Sequence, residues 1–570
     1  MLKKVLLYIF FFHFSFAGIS QLDTININQP YYSIDQGKKL ILINASIQEL
    51  NQTYASGKIA IVLNDTLYQF SDTIYTLHTG IQYHAKLNGD MYGIYFSNLP
   101  IVRLVVTDSI RDSPKVPGHF EMVHPALETL SHLVGLEYRG ASSQAYPKKS
   151  MELEFWADSL GDDSEDISLL GMLPKNNSWN LQALYVEACR TNSMVSNAIW
   201  EKIHHAHYLS SEPEAKSGIR MKYVEVFLNN SYYGLYAIGQ KVNRDLLKLK
   251  KNEPETVRGE LIKCDDWTPG TLFTGAMNFD NSLRELNGFE YSYPKNITDW
   301  GGLNSLIDFV VNALPSSFRN DISTHFNMQN AVDYFLFLNL LRANDNHGKN
   351  IYLARYDIDS SYFYVPWDLD GTFGYMWDGS KQDITDDLNL DNGLFARLWN
   401  DSTFRAQLSV RWNKLRTNEL SDSSLTAMLQ HAFDYLSHNG VYEREELAWD
   451  EYQFSDTNCT YMADWLQRRL QYLDFEFNTI LTSDDLPDLT NNAIHVFPNP
   501  VQEEVSIRFL EKIRQISVYN IDGKCISTLH VNSKQCSVSV AHLSPGIYLL
   551  KAVSVNGATF TKRFVKVAIY

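Results

Sequence analysis

The feature that most constrains the fold is the order of segments in residues 329–370, where an apolar helix, a polar loop and a strand hairpin follow one another. Residues 329–341 have the apolar spacing of a buried helix, and residues 351–356 have the composition of a strand. A polar turn at residues 357–361 then reverses the chain into a second strand, which we expect to end at Asp368. Because the strands of a hairpin lie side by side, the loop before the first strand neighbours the end of the second. The order predicts an α+β fold with polar residues gathered at one end of a hairpin.

Oxygen-bearing side chains fall at that end of the hairpin: Asp345, Asn350, Asp368 and Asp370. Asp345 and Asn350 are five positions apart (350 − 345 = 5), which is the spacing of the protein-kinase catalytic loop, whose Asp accepts the hydroxyl proton and whose Asn holds a metal. Asp368 follows one hairpin later, as a metal-binding Asp does in kinases, and Asp370 would share its face if both lay on a strand. We therefore expect Asp345 to be catalytic, and Asn350, Asp368 and Asp370 to bind Mg²⁺ or Mn²⁺ through oxygen atoms. The alternative is that Asp345 and Asn346 are only turn residues and that Asp368 caps the helix or turn that follows.

A second polar segment, rich in Gly and Ser, leads into a strand in residues 136–155. Such turns expose backbone N–H groups that suit phosphate oxygens. Lys149 falls on the same strand face as the apolar residues Met151, Leu153 and Phe155. This places a lysine at the start of a half-buried strand, as a phosphate-pairing lysine requires. A solvated basic turn is the alternative interpretation.

Charge and cysteine content limit the partners of the chain. The formal net charge is −17, which argues against a nucleic-acid partner because no net positive field exists to release counterions from phosphates. The five cysteines have no CxxC or zinc spacing, and Cys525 and Cys536 either pair with each other or remain buried thiols. Beyond the first 20 residues, the longest apolar run is residues 334–341, which is too short to span a bilayer.

Changes in pattern along the chain predict five parts. Residues 1–20 have the charged start, apolar stretch and small-residue end of a signal peptide. Residues 21–95 predict a small β-rich domain, and residues 96–482 a mixed α+β region. Residues 483–492 are acidic and turn-rich, which indicates a linker. Residues 493–570 have the short strands of a small β-sandwich.

The last part contains three short motifs: Pro-Asn-Pro at residues 498–500, a Gly-Lys turn at 523–524, and Leu-Ser-Pro-Gly-Ile-Tyr at 543–548. Together they resemble the C-terminal sorting domain of the type IX secretion system of Bacteroidetes-type bacteria. The resemblance implies that the type IX secretion machinery is a partner. It also implies a protein that is secreted or held at the outer-membrane surface.

The α+β region contains Arg-Gly-x-Ser-Ser-Gln…Pro-Lys-Lys-Ser in residues 139–150, Asp-Asn…Lys-Asn-x-Tyr-Leu in 345–353 and Pro-Trp-Asp-Leu-Asp in 366–370. These segments resemble the CotH-like (spore coat protein H) family of atypical secreted protein kinases. The resemblance implies an atypical protein-kinase-like core that uses ATP with Mg²⁺ or Mn²⁺ and transfers the γ-phosphoryl group to Ser or Thr hydroxyls of a protein acceptor. It implies catalytic roles for Asp345 and Lys149. It also implies nucleotide contacts from a larger set: Arg139, Ser142, Ser143, Lys148, Lys149 and Glu187.

The chain departs from that family at Gln240, where an acidic residue is usual. Because an amide cannot supply the charge of a carboxylate, a pseudokinase is the alternative: a non-catalytic cell-surface adhesion or ligand-binding protein with a structural cation site. Glu187, which precedes Arg190, is a candidate substitute as partner of the lysine. A paired-carboxylate glycosidase is a weaker third interpretation, since Asp368 and Asp370 would have to flank a sugar from independent loops.

Overall fold

The structure is a computed structural model that describes residues 24–54, 57–479, 494–497, 499–521, 523–557 and 559–567. The expected signal peptide (residues 1–20) and linker (residues 483–492) lie outside the described residues. Helices and strands are both abundant, so the α+β class is confirmed. The chain divides into two compact units, each assembled from separate stretches. Of the described residues, the first unit contains those within Met1–Glu165, Tyr223–Tyr236 and Asp434–Gln453. The second contains those within Asp166–Lys222, Ala237–Phe433 and Phe454–Tyr570.

The strands of the described part are numbered in chain order. They are β1 (Thr24–Ile27), β2 (Tyr32–Asp35), β3 (Leu40–Ile43), β4 (Lys58–Leu63), β5 (Thr66–Ile74), β6 (Tyr83–Leu87), β7 (Asp90–Phe96), β8 (Ile101–Val106), β9 (Val116–Val123), β10 (Leu130–Tyr138), β11 (Met151–Trp156), β12 (Ser178–Gln182), β13 (Met221–Leu228), β14 (Ser231–Gln240), β15 (Glu260–Cys264), β16 (Glu285–Leu286), β17 (Phe289–Tyr293), β18 (Ile351–Arg355), β19 (Tyr362–Pro366), β20 (Ile494–Phe497), β21 (Glu504–Asn520), β22 (Cys525–Ser539), β23 (Gly546–Ser554) and β24 (Thr559–Lys566).

The helices are numbered in the same way. They are α1 (Ile47–Thr53), α2 (Asn192–Ile203), α3 (Arg244–Leu247), α4 (Gly301–Asn312), α5 (Pro315–His325), α6 (Met328–Leu341), α7 (Gly393–Trp399), α8 (Ser402–Arg416), α9 (Asp422–His438), α10 (Val441–Ala448) and α11 (Asp456–Thr479). The predicted helix at residues 329–341 is confirmed as α6, and the predicted strand at 351–356 as β18.

In the first unit, β1 to β7 form one sheet in the order β1-β4-β5-β6-β7-β3-β2. Its strands alternate buried and exposed side chains: in β6, Tyr83 and Ala85 are buried whereas His84 and Lys86 are exposed. The buried side chains of this sheet form a separate apolar core. Alternation of this kind is what places the hydrophobic side chains of a strand on one face.

Further strands of the first unit support the polar segment that precedes β11. Strands β8, β9, β10 and β11 pair antiparallel in sequence order, and β13 pairs parallel with β8. The register of β10 and β11 places Tyr138 opposite Met151, so residues 139–150 form the loop that joins these strands. Met151, Leu153 and Phe155 are buried, which confirms the predicted apolar face of β11.

The second unit is built around α6, whose residues from Asn330 to Leu341 are all buried. The helix packs against α2, α8, α11 and β19, so it is covered on several sides. The side chain of Asn327 caps its first turn by accepting a hydrogen bond from the Asn330 N–H. The helix ends at Leu341 because Arg342 adopts the left-handed conformation, with φ of 49°.

The hairpin after α6 is confirmed, but its end differs from the prediction. Strands β18 and β19 pair antiparallel from Ile351↔Pro366 to Arg355↔Tyr362, inside the five-stranded sheet β16-β17-β15-β18-β19. The prediction that Asp368 and Asp370 share a strand face is wrong, because β19 ends at Pro366 and Asp368 has a left-handed φ of 55°. The ladder stops at Pro366 because its partner there, Ile351, is the first residue of β18.

The C-terminal strands β20 to β24 form one five-stranded sheet by their hydrogen-bonded pairing, so the sandwich stays a prediction. Cys525 and Cys536 both lie on β22. At about 3.3 Å per residue, their separation far exceeds the roughly 7 Å that a disulfide spans, so the suggestion that they pair is wrong. No helix within the described ranges is long and apolar enough to cross a membrane.

Candidate active site

Asp345 and Asn350 lie in the loop between α6 and β18, and their side chains are in direct contact. The Asn350 Nδ2 donates a hydrogen bond of 2.6 Å to Asp345 Oδ2. Asn350 has a left-handed φ of 53°, and its backbone N–H donates to the Cys264 carbonyl at 3.0 Å. The loop is therefore anchored to β15 at the residue that contacts Asp345.

Asn346 ties the same loop to the residues that follow β19. Its buried Nδ2 donates to the carbonyl oxygens of Trp367 at 2.6 Å and Asp368 at 3.3 Å. Its own carbonyl accepts a 2.7 Å hydrogen bond from the Tyr334 hydroxyl on α6. From its sequence context Asn346 is expected only to be a turn residue, and its position next to Asp345 is the available signal of a larger role. Asn346 brings the Asp345 loop and the Asp368 loop together.

Several carboxyl groups of the second unit influence one another in this region. Desolvation raises the pKa of Asp345 to about 6, and the Asp368 charge adds to this rise, whereas Lys349 and the Asn350 hydrogen bond oppose it. Desolvation also raises the pKa of Asp370 well above its usual value, and the charges of Asp368, Glu187 and Asp345 raise it further. The predicted acidic residues therefore form one electrostatic group.

Glu187 and Asn192 hold the N-terminal end of α2 at this group. Glu187 Oε1 accepts from the Ser193 N–H at 3.1 Å, and burial raises the Glu187 pKa to about 7 although this hydrogen bonding opposes the rise. Asn192 Nδ2 donates to the Asp370 carbonyl at 3.1 Å and to the Thr372 carbonyl at 2.9 Å. Helix α2 thus fixes the backbone of the loop that carries Asp370.

The donor chemistry of this group suits a hard divalent cation. Carboxylate and amide oxygens are the side-chain ligands that Mg²⁺ prefers. Among the described residues, the buried acceptors Glu187 Oε2, Asn192 Oδ1 and Asn346 Oδ1 have no hydrogen-bond partner. The described part contains no group of three or more His, Cys, Asp or Glu side chains arranged to hold a metal ion. The oxygen atoms of this group are of the type that Mg²⁺ takes in proteins.

The predicted lysines lie in the first unit, where both side chains have protein partners. The buried Lys148 Nζ lies 3.0 and 2.9 Å from the two carboxylate oxygens of Glu445 on α10. Lys149 Nζ donates to the carbonyl oxygens of Gln144 and Tyr146, the latter at 2.9 Å. Lys148 is therefore the lysine with a carboxylate partner.

Glu445, the carboxylate partner of Lys148, is not among the residues that the sequence singles out. Its Oε1 also accepts from the Leu235 N–H at 2.7 Å, and a Cβ on Gly234 would lie 2.1 Å from that oxygen, so glycine is required there. Glu445 is 297 residues from Lys148, and no local spacing signals a contact over that distance. Glu187, the candidate substitute partner, caps α2 through Ser193 instead.

The remaining predicted residues belong to the loop between β10 and β11. Ser142 and Ser143 begin a short 3₁₀ helix, Ser142–Ala145. Gly140 before it has φ of 100°, and a Cβ there would lie 2.0 Å from Ser143 Oγ, so the turn needs glycine. The Arg139 N–H donates to the Ser150 carbonyl at 3.0 Å, which closes the loop at its base.

Gln240 is buried in the second unit and uses both ends of its amide. Its Oε1 accepts from the Arg220 N–H at 3.1 Å, and its Nε2 donates to the Leu173 carbonyl at 3.0 Å. An amide satisfies both groups because it offers an acceptor and a donor, whereas an ionised carboxylate offers acceptors only. The residue that departs from the family pattern therefore has a local structural role.

Comparison with protein families agrees with the sequence motifs. The model of the CotH kinase protein family matches residues 136–473, which is more than half of the chain. The model of a secretion system C-terminal sorting domain matches residues 495–567 and indicates export to the cell surface or beyond. No curated protein matches the chain. The chain belongs to the CotH kinase protein family and carries a C-terminal secretion sorting domain.

Proposed function

We propose that the chain is an exported atypical protein kinase that transfers the γ-phosphoryl group of ATP to Ser or Thr hydroxyls. The observation that carries the proposal is the contact between Asp345 and Asn350 beside the Asp368–Asp370 loop. A carboxylate with a pKa near 6 is ionised at neutral pH and can still accept a proton. The spacing and contact together match what a kinase catalytic loop requires.

In this proposal Asp345 orients the acceptor hydroxyl and takes its proton as the new P–O bond forms. Asn350 holds the Asp345 carboxylate by its Nδ2 hydrogen bond and has its Oδ1 as a metal-binding atom. Asp368 and Asp370 are the carboxylate metal ligands. Mg²⁺ or Mn²⁺ bound with ATP would supply the positive charge that neutralises the phosphate oxygens.

The loop of residues 139–150 is proposed to contact the nucleotide in a protein-kinase-like core. Glu187 is a separate proposal for a nucleotide contact, made from the family resemblance. Support comes from the Lys148–Glu445 ion pair, because active protein kinases require a Lys–Glu pair of this kind. A turn rich in Gly and Ser, such as the one at Gly140, is of the kind whose backbone N–H groups bind phosphate. Arg139, Ser142, Ser143 and Lys149 are the additional proposed contacts, and Lys149 is also proposed as catalytic.

The test is transfer of radiolabel from γ-labelled ATP to generic acidic and basic protein acceptors, with Mg²⁺, with Mn²⁺ and with EDTA. We expect metal-dependent labelling of Ser or Thr by the wild type, and loss of labelling in Asp345→Asn. Labelling that is equal in Asp345→Asn and wild type would contradict the assignment. No ATP binding by the wild type would exclude the kinase.

One observation favours the second candidate, a pseudokinase that acts in surface adhesion or ligand binding. The Lys148 side chain is fully buried, so a phosphate reaches it only after a local rearrangement. A structural cation site predicts that metal raises the melting temperature without any ATP affinity. Calorimetric titration of ATP in the presence and absence of Mg²⁺ distinguishes the two candidates.

A further inference from the structure

Two cysteines far apart in the chain meet in the second unit. The sulfurs of Cys189 and Cys459 lie 2.9 Å apart, although 270 residues separate them. A disulfide bond needs about 2.05 Å between sulfurs, so the two atoms must approach by less than about 1 Å. The fold therefore already brings the two sulfurs to within about 1 Å of bonding distance.

The two thiols differ in their access to solvent. Cys189 is fully buried, in the segment that leads into α2, whereas Cys459 is partly exposed in the first turn of α11. A thiol that solvent reaches is the one that can react with a soluble disulfide. Cys459 is therefore the thiol that reacts first with a soluble disulfide, and Cys189 is the thiol that completes the exchange.

We propose that Cys189 and Cys459 form a disulfide bond once the chain has been exported. The sorting domain indicates export, and disulfides form and persist in the oxidising compartments outside the cytoplasm. The oxidant is an external disulfide, either a small molecule or a thiol oxidoreductase.

The reaction proceeds by two thiol–disulfide exchanges. The thiolate of Cys459 attacks one sulfur of the external disulfide, which breaks that bond and releases the first thiol. The thiolate of Cys189 then attacks Cys459 Sγ in the mixed disulfide and releases the second thiol. The two protein thiols lose two electrons, the external disulfide gains them, and the two protons pass to the released thiols.

The bond would fix α11 to the segment that supports the acidic group. Arg190, next to Cys189, donates to the Leu184 carbonyl at 2.7 Å and to the Glu187 carbonyl at 2.8 Å. On the side of α11, the Tyr461 hydroxyl donates to the Gly374 carbonyl at 3.0 Å. A covalent bond at this position joins two supports of the candidate site, and closing so long a loop reduces the conformational freedom of the unfolded chain.

The direct test counts thiols in the full chain after incubation with oxidised glutathione. The protein is alkylated under denaturing conditions without reductant, digested and analysed by mass spectrometry. We expect a peptide pair joined through Cys189 and Cys459, a mass lower by two hydrogen atoms, and alkylation of the other cysteines. Alkylation of all five cysteines, or a bond between different cysteines, would overturn the proposal. The thiol count does not depend on phosphoryl transfer, so it stands apart from the test of the proposed function.

A second measurement uses thermal unfolding with and without reductant. We expect reduction to lower the melting temperature of the oxidised wild type by about 3 °C or more, as loss of a long-range disulfide should. Cys459→Ser should show no reductant effect, and the matched control Cys525→Ser, on β22, should behave as wild type. A reductant effect of equal size in Cys459→Ser, or none in the wild type, would contradict the bond. If Cys459→Ser does not fold, the peptide map of the wild type decides.

Discussion

At the scale of single residues, substitutions of Asp345 and Asp368 are expected to have different effects on ATP binding and phosphoryl transfer. Asp368→Asn removes a charge that holds the metal against the phosphates, so metal-dependent ATP binding should be lost. Asp345→Asn removes the proton acceptor, so ATP binding should stay nearly unchanged while transfer falls by roughly 10²-fold or more. Calorimetric ATP titrations and transfer rates of both variants measure the difference. Asp and Asn are nearly isosteric, so both variants should fold.

The matched control for these variants is Asp359→Asn. Asp359 is exposed in the turn between β18 and β19, at the other end of the same hairpin. This change removes one negative charge without touching the candidate site, so binding and transfer should equal wild type. Equal loss of ATP affinity in Asp345→Asn and Asp368→Asn would contradict the separate roles.

Glu187 predicts a pH dependence of stability in the metal-free protein. Burial raises its pKa from an ordinary 4.5 to about 7. A carboxyl group whose pKa is higher in the folded state than in the unfolded state contributes its full stabilisation below the unfolded pKa. That contribution is lost as the pH rises through the folded pKa. We expect the free energy of unfolding to fall by on the order of 2–3 kcal/mol across this window. Asp370, whose pKa is also raised, acts in the same direction.

Urea unfolding in EDTA between about pH 5 and pH 9 measures this loss. Glu187→Gln carries no ionisable group at this position, so its stability should vary less with pH. The difference between the two profiles should develop as the pH rises from about 4.5 to about 7 and level off above pH 7. Identical pH profiles for the variant and the wild type would mean that Glu187 ionises without cost in the folded state.

The residues of the candidate site were predictable to the extent that their signals were local in sequence. The sequence pattern placed Asp345 and Asn350 on one loop, and the structure brings their side chains into contact there. The prediction that Asp368 lies on a strand was wrong because β19 ends at Pro366. The pairing stops there because its partner, Ile351, is the first residue of β18. The contact between Glu445 and Lys148 could not be predicted, because 297 residues separate them and no local sequence pattern indicates it.

At the scale of elements, α10 is joined to the loop before β11 through the buried Lys148–Glu445 pair. Removing one partner of a buried ion pair leaves the other charge in a poorly solvated position and typically costs about 3–5 kcal/mol. We therefore expect Glu445→Gln to lower the free energy of unfolding by about that amount, measured by urea denaturation. Glu443→Gln, an exposed position on the same helix, is the control and should change stability by less than about 0.5 kcal/mol.

Replacing both members of the pair distinguishes charge burial from packing. Lys148→Met combined with Glu445→Leu removes both charges and keeps apolar volume, so much of the lost stability should return. A double variant as unstable as Glu445→Gln would indicate that the hydrogen bond from Leu235 to Glu445 is the larger contribution.

Gln240 lies at the end of β14. Replacing it with the acidic residue that the family usually has should lower the free energy of unfolding. Gln240→Glu removes the donor to the Leu173 carbonyl and places a carboxylate against that oxygen. We expect a loss of about 1–3 kcal/mol in the free energy of unfolding, with no gain in ATP affinity. Gln240→Met, which removes both hydrogen bonds without adding charge, is the comparison. Tighter ATP binding by Gln240→Glu would show that a charge is needed at this position.

At the scale of the whole molecule, the C-terminal sheet and the CotH region are expected to have separable roles. Removing residues 493–570 deletes the sorting domain, so delivery to the cell surface should be lost. The truncated protein also loses the contacts that Arg508 makes with Glu476 and with the Asp386 carbonyl. We expect it to remain folded and able to bind nucleotide, as measured by circular dichroism and calorimetry.

Arg508→Ala in the full chain is the control for that truncation. It removes the same contacts and keeps the sorting domain, so the variant should still reach the surface, as surface immunolabelling can measure. A truncated chain that reached the surface would contradict the role of the sheet in delivery. An unfolded truncated chain would contradict the separation.

The sequence pattern could predict the α+β class and the all-β character of the C-terminal end, because both depend on local periodicity. It could not predict that residues 434–453 join the first unit. That grouping depends on buried pairs such as Glu225 with Arg444, whose atoms lie 2.8 Å apart across 219 residues. Each of the five parts predicted from the sequence is one contiguous stretch. Each compact unit instead joins stretches that are separated in the sequence and contact one another in the fold.

The assembly of the first unit from early and late stretches has a consequence for the order of folding. Lys148 and Glu225 are made early, and the Glu445 and Arg444 side chains that neutralise them are made some 300 and 220 residues later. A chain made from its N-terminus therefore carries two charges destined for burial long before their counterions exist. The first unit cannot reach its final packing until α10 has been synthesised. A chain interrupted before α10 would leave Lys148 and Glu225 without the side chains that neutralise them.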